Sequence, residues 1–77
     1  MGLVSRAQFE QRLVSHLNGI EPGFAYRAKR KVGYAWGAIL DHMYRKHGDG
    51  VTFANLASLI AGCAQDIVRL TENLKDE

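Results

Sequence analysis

The residues best suited to chemistry in this chain form a short basic and aromatic cluster. Four cations lie within five consecutive positions, and a tyrosine stands on each side of them: Tyr26, Arg27, Lys29, Arg30, Lys31 and Tyr34. Lysine and arginine bind phosphates, and tyrosine rings stack on nucleic-acid bases. A solvated helix face has the same composition, because charged side chains are common on protein surfaces. The cluster therefore leaves nucleic-acid binding and simple solvation open.

The histidines and the single cysteine indicate no catalytic or metal site. His42 and His47 lie near Asp41 and Asp49, but their spacing matches no usual zinc signature. Cys63 has no partner for an intramolecular disulfide, and we expect it to pack in the core. The sequence has no nucleophile motif, glycine-rich phosphate loop or pair of carboxylates suited to acid–base work. We therefore expect a non-enzymatic protein with no metal and no cofactor.

Charge is distributed unevenly along the chain. The formal net charge is +2, yet residues 1–23 are neutral, residues 24–50 carry +4 and residues 51–77 carry −2. The positive field belongs to the middle segment, and it favours a phosphate-rich or acidic partner there. No secretory leader or long apolar run is present, so we expect a cytoplasmic protein without membrane contact.

The elements that carry these residues are predicted to be helices. Apolar residues recur at intervals of three and four, which predicts an all-α chain folded as one domain over residues 1–77. Ser5 and Gln8 predict a capping box at the start of the first helix, which should end near Asn18-Gly19. Val4 is placed to pack on Phe9 beside that cap.

Two longer segments follow the first helix. A second helix is predicted from about residue 22 or 24 to 47, and a third segment from 52 to 75, with Thr52 as its N-cap. We expect a three-helix domain in which the short first helix packs across a hairpin of the other two. A chain this small buries a limited core, which favours a homodimer. The predicted core residues are Phe9, Leu13, Leu17, Val32, Trp36, Ile39, Met43, Phe53, Leu56, Ile60, Ile67, Leu70 and Leu74.

The third segment permits two interpretations. As one helix, it has an apolar stripe at alternating intervals of three and four, which is typical of a packing element. With a break near Ala61-Gly62, the same residues form a helix, a turn and a second helix, which is the arrangement that places a recognition helix in a DNA groove. The spacing alone does not choose between them.

With that break, residues 36–74 resemble the helix-turn-helix of bacterial winged-helix-type transcriptional regulators. The residues that match the family pattern are Leu56-Ala57, Ile67, Arg69-Leu70 and Leu74. The resemblance implies that Gln65 and Arg69 face the major groove, where glutamine pairs with adenine and arginine with guanine.

Two functional hypotheses follow. The first is a small regulator that binds nucleic acid, with DNA favoured, through the basic middle helix; its phosphate and base contacts would come from Arg27, Lys29, Arg30, Lys31, Tyr34 and Arg45. The alternative is a protein-binding modulator, such as a phage- or plasmid-type inhibitor or adaptor, whose partner could present an acidic protein surface. It would dock through a stripe of small and aromatic residues, Tyr26, Gly33, Gly37 and Tyr44. Two glycines within a helix cost roughly 1 kcal/mol each, which suggests close approach of another backbone there.

Overall fold

A computed structural model describes residues 3–48 and 50–74, and this part of the chain is all-helical. Its elements in order are α1 (Arg6–Ile20), α2 (Phe24–Val32), α3 (Ala35–Met43), a π-helical turn (Tyr44–Gly48) and α4 (Phe53–Asn73). Extended pairing in the described residues is limited to an isolated antiparallel bridge between Leu3 and Thr52. The predicted all-α class is confirmed.

The start of α1 forms as predicted. Ser5 Oγ accepts a hydrogen bond from the backbone N–H of Gln8 at 3.2 Å, and Gln8 Oε1 accepts one from the backbone N–H of Ser5 at 2.9 Å. This reciprocal capping box satisfies two donors that the first turn would otherwise leave without partners. Val4 and Phe9 are both buried beside it. The helix continues to Ile20, slightly beyond the predicted end.

The second predicted helix is wrong as one unbroken element. It divides at Gly33, whose φ of +58° is a conformation that side chains disfavour and glycine adopts readily. The Gly33 N–H donates to the carbonyl of Lys29 at 2.8 Å, and Trp36 N–H donates to the Gly33 carbonyl at 3.1 Å. Gly33 thus ends α2 and starts the turn into α3, so the described chain has four α-helices where three were predicted.

The third segment is one continuous helix. α4 runs from Phe53 to Asn73 without a break at Ala61-Gly62. A Cβ atom at Gly62 would meet nothing within 4 Å, so the glycine marks neither a turn nor a close contact. Thr52 takes the N-cap position, but its side chain does not cap the helix; it accepts a hydrogen bond from Asn55 Nδ2 at 3.3 Å.

The core lies where α1 packs against α4, α2 and the π-helical turn. Its buried apolar residues are Val4, Phe9, Leu13, Leu17, Ala25, Ala28, Leu40, Met43, Leu56, Ile60, Cys63, Ala64 and Ile67. Phe53 was predicted in the core but is 43% exposed. Other predicted core residues are only partly buried, namely Val32, Trp36, Ile39, Leu70 and Leu74.

The break at Gly33 explains one of these differences. The spacing that placed Ile39 in the core assumed that α2 and α3 share one helix axis. Because the chain turns at Gly33, a different face of α3 meets the core, and Leu40 is buried there instead. None of the helices in residues 3–48 and 50–74 has the length and apolar character needed to cross a bilayer.

Candidate nucleic-acid interface

Two alanines set the orientation of α2. Ala25 and Ala28 are buried against the core, and their small side chains let the helix backbone approach it closely. The remaining polar residues of the helix point to solvent. The backbone N–H of Ala25 also donates to Asn18 Oδ1 at 3.0 Å, so a residue of α1 caps the first turn of α2. The four basic residues of α2 are all exposed, on the sides of the helix that do not carry Ala25 and Ala28.

Arg27 is the cation of this surface that has an acidic partner. Its Nη2 forms an ion pair with Glu21 Oε2, and its Nη1 donates to the carbonyl of Pro22 at 3.3 Å. Both charged side chains are about half exposed, 49% for Arg27 and 62% for Glu21. An exposed pair of this kind contributes about 0–1 kcal/mol, so a phosphate can displace Glu21 at small cost.

Lys29 and Arg30 lie beside aromatic rings. Lys29 Nζ is 5.5 Å from the centroid of the Trp36 ring, and Arg30 Cζ is 6.0 Å from the centroid of the Tyr26 ring. Both distances suit weak cation–π attraction at a solvated site. In the described residues neither cation has a carboxylate within ion-pair distance. Their charges are therefore available to an anionic ligand.

Lys31 points towards the end of α4. Its Nζ donates to the backbone carbonyl of Thr71 at 3.4 Å. A cation near the C-terminal end of a helix is favoured by the helix dipole and by carbonyls that lack helical partners. In the part of the chain that is described, no carboxylate of α4 forms an ion pair with the basic cluster. The contact that α4 makes with Lys31 is therefore a backbone carbonyl and not a carboxylate.

Tyr34 occupies the corner between α2 and α3. Its side chain is fully exposed, and Tyr26 on α2 is 66% exposed. The break at Gly33 produces this exposure, because the chain leaves the helix axis of α2 just before Tyr34. Two aromatic rings therefore lie in solvent, that of Tyr26 in the first turn of α2 and that of Tyr34 at the corner that follows the helix.

Arg45 belongs to a different cluster. Its Nε is 3.0 Å from Asp41 Oδ2, and Arg6 Nε is 3.5 Å from Asp41 Oδ1. Arg6 also donates to the Gly37 carbonyl at 3.4 Å. Two arginines thus share one carboxylate, which reduces the charge that Arg45 offers to a phosphate. Of the predicted phosphate ligands, Arg45 is the one the structure separates from α2.

The predicted partner stripe of Tyr26, Gly33, Gly37 and Tyr44 does not form one line. Its spacing assumed an unbroken helix, and the chain turns at Gly33. Tyr44 packs on Phe9 with ring centroids 5.6 Å apart, and its hydroxyl donates to the Val4 carbonyl at 2.7 Å. Among the described residues, a Cβ atom at Gly37 would meet nothing within 4 Å, so no other part of their backbone approaches it closely.

The two residues that were predicted to contact DNA bases, Gln65 and Arg69, lie on α4. Gln65 and Arg69 are exposed and are one helical turn apart. Their predicted contacts require a turn before them that would separate a recognition helix, and α4 has none. They therefore lie on a continuous helix that also carries Asp66 and Glu72.

The described residues hold no group of three or more side chains suited to a metal ion. Cys63 is buried, and burial raises the pKa of its thiol, with a further contribution from the Asp66 carboxylate. Both effects disfavour the thiolate, which is the reactive form.

A groove between α1 and α4 was not predicted from the sequence. It has a volume of about 340 Å³, with Arg12 and His16 on its α1 side and Phe53, Ala57 and Ile60 on its α4 side. The exposure of Phe53 was the missing information, because the residue fits the apolar stripe of α4 and was assigned to the core.

Comparisons with protein-family models, curated proteins and solved structures found no significant match to this chain. Its function has to be inferred from its own surfaces.

Proposed function

We propose that this protein is a small, non-enzymatic, cytoplasmic regulator that binds nucleic acid through the exposed side of α2. The observation that carries the proposal is the segregation of charge. No aspartate or glutamate occurs from Pro22 through Leu40, while four cations lie in α2. Such a surface attracts the phosphate backbone and binds it by displacing counterions.

The contacts within α2 favour this use of its cations. Lys29 and Arg30 contact aromatic rings, and those contacts leave their charges without a counterion from the described chain. The Arg27–Glu21 pair is exposed and weak. A ligand phosphate therefore replaces few stabilising interactions when it binds.

The proposal does not depend on α4. The helix-turn-helix resemblance requires a turn that α4 lacks. Over Phe53–Asn73 the charged residues are Asp66, Arg69 and Glu72, which leave the helix slightly acidic. An acidic helix is repelled by DNA phosphates. Gln65 and Arg69 consequently have a smaller part in this proposal than the residues of α2.

Protein binding is the alternative and has weaker support. The stripe that motivated it is interrupted at Gly33, and Tyr44 contacts other residues of the chain through its hydroxyl, which binds Val4, and its ring, which packs on Phe9.

The homodimer predicted from chain length belongs to the proposal as well, because a domain of this size buries only about 60–65% of the surface of its unfolded chain. Sedimentation equilibrium tests it directly.

The experiment that tests the proposal is fluorescence anisotropy of labelled duplex DNA, single-stranded DNA and RNA, titrated with the protein at low and at near-physiological salt. We expect micromolar or tighter binding at low salt with a steep dependence on salt. The variant Lys29→Gln/Arg30→Gln should bind on the order of tenfold more weakly and lower the slope of log affinity against log salt by about 1–2.

A matched control has the same loss of two positive charges elsewhere. Arg12→Gln/Lys46→Gln removes one exposed cation from α1 and one from the π-helical turn. At near-physiological salt we expect it to change the affinity by less than about threefold, because the Debye length is then about 8 Å and distant charges are screened. Equal losses for the two variants would show that net charge alone matters, and absence of binding at low salt would refute the proposal.

A further inference from the structure

We infer that the ligand of the α2 surface is single-stranded nucleic acid, whose unpaired bases stack on Tyr34 and Tyr26 while Lys29 and Arg30 bind its phosphates. This inference rests on the proposed function and specifies its ligand. It depends on the aromatic side chains, whereas the proposed function depends on the cations.

Tyr26 and Tyr34 are both exposed to solvent. Large exposed apolar side chains in the described residues are few, and two of the five are aromatic residues of this surface: Leu3, Ile20, Tyr26, Tyr34 and Phe53. Tyr34 is fully exposed, and no hydrogen bond engages its hydroxyl in the described residues. An aromatic ring left wholly in water gains much from a flat apolar partner. A nucleic-acid base has such a face.

The Tyr26 ring has a cation beside it. Arg30 lies over one face of Tyr26 with its Cζ atom 6.0 Å from the ring centroid. In sequence, the four cations of α2 lie between Tyr26 and Tyr34, and Arg30 is the one whose contact with a tyrosine ring is seen in the described residues. Proteins that hold single strands use this combination, since the cations follow the backbone and the rings stack on successive bases.

The geometry of α2 argues against a duplex ligand. In a duplex each base face is covered by its neighbours, so the exposed rings of Tyr26 on α2 and Tyr34 at the corner find no face on which to stack. α2 has nine residues, a length of about 13 Å at the usual rise per residue. The long helix α4 carries Asp66 and Glu72 and lacks the excess of cations that a groove-binding helix needs. The surface suits splayed bases better than a groove.

The test compares a labelled dT oligomer of about 15 nucleotides, the U oligomer of the same length and the dT oligomer annealed to its complement. We expect either single strand to bind about tenfold or more tightly than the duplex. The variant Tyr26→Leu/Tyr34→Leu should lose about fivefold or more in affinity for the single strand with an unchanged salt slope, because it removes stacking and retains the cations.

Two controls define the outcome. Tyr26→Phe/Tyr34→Phe keeps both rings and should bind like the wild type, and Phe53→Leu removes an exposed aromatic ring elsewhere and should also have no effect. Duplex binding as tight as single-strand binding, or leucine variants within twofold of wild type, would overturn the inference while leaving the proposed function in place. Absence of binding to all three probes would overturn both. Preferential binding of either the dT or the U oligomer would support the inference and would distinguish the two kinds of single strand, which differ in the sugar and in the 5-methyl group of the base.

Discussion

Asn18 of α1 accepts a hydrogen bond from the backbone N–H of Ala25 in α2, with 3.0 Å between Oδ1 and the nitrogen. The residue at the N-cap of α2 is Gly23, which has no side chain and a φ of +78°. One helix thus supplies the cap of the next, and the contact sets where α2 begins relative to α1. The contact acts together with the burial of Ala25 and Ala28, which orients α2 on the core.

Replacement of Asn18 by alanine should therefore destabilise the protein. The loss of an N-capping acceptor lowers the free energy of unfolding by about 1 kcal/mol. Urea denaturation followed by circular dichroism measures the change. Asn18→Asp keeps an oxygen acceptor at the same place and should remain close to wild type. An alanine variant as stable as the wild type would show that the contact does not hold α2.

Gly33 and Gly37 should respond in opposite ways to alanine. Gly33→Ala forces a side chain into a sparsely populated backbone conformation with φ near +58° and should destabilise the protein by about 1–3 kcal/mol. Gly37 lies inside α3 with open space around it, so Gly37→Ala should stabilise by about 0.5–1 kcal/mol. Thermal unfolding of the two variants gives the comparison. Stabilisation by both substitutions would mean that α2 and α3 form one unbroken helix.

Gly62 provides the corresponding test for α4. Its position in the helix interior, with nothing within 4 Å of an added Cβ, predicts that Gly62→Ala stabilises by about 0.5–1 kcal/mol. Gly50, with a φ of +83°, serves as a contrast, and Gly50→Ala should destabilise. A destabilised Gly62→Ala variant would indicate the turn that the helix-turn-helix interpretation requires.

Cys63 should make stability depend on alkaline pH. Burial raises the pKa of its thiol above the ordinary value of 9.0, and the nearby Asp66 adds to the increase. As the pH rises past this value, the unfolded chain releases the proton while the folded chain keeps it. The free energy of unfolding therefore falls as pH increases. Cys63→Ala lacks this group, so from about pH 8 to about pH 10 its stability should fall less steeply than that of the wild type. Parallel curves would contradict the assignment.

The helical class and the start of α1 were predictable because they depend on local signals. Ser5 and Gln8 lie three residues apart, and the apolar spacing of Phe9, Leu13 and Leu17 fixes one buried face. The break at Gly33 was not predicted, because a glycine within an apolar pattern is compatible with both a helix interior and a positive φ. That choice depends on packing between α2, α3 and α1.

The candidate site was likewise predictable only in part from the sequence. The basic run of α2 was evident from the sequence, but its partners come from distant positions. Lys31 contacts Thr71, and Arg6 shares Asp41 with Arg45 across a long stretch of chain. Residue types identify which side chains can bind phosphate, and the tertiary fold decides which of them are already paired.

The most direct measurement of the central claim is a two-dimensional NMR titration of isotope-labelled protein with the dT oligomer, followed at backbone amides. We predict that the largest shifts occur in α2 and at the corner that contains Gly33 and Tyr34, and that they weaken as salt is added. Shifts confined to the groove between α1 and α4, near His16 and Ala57, would contradict the claim. Unchanged spectra at low salt would contradict it as well.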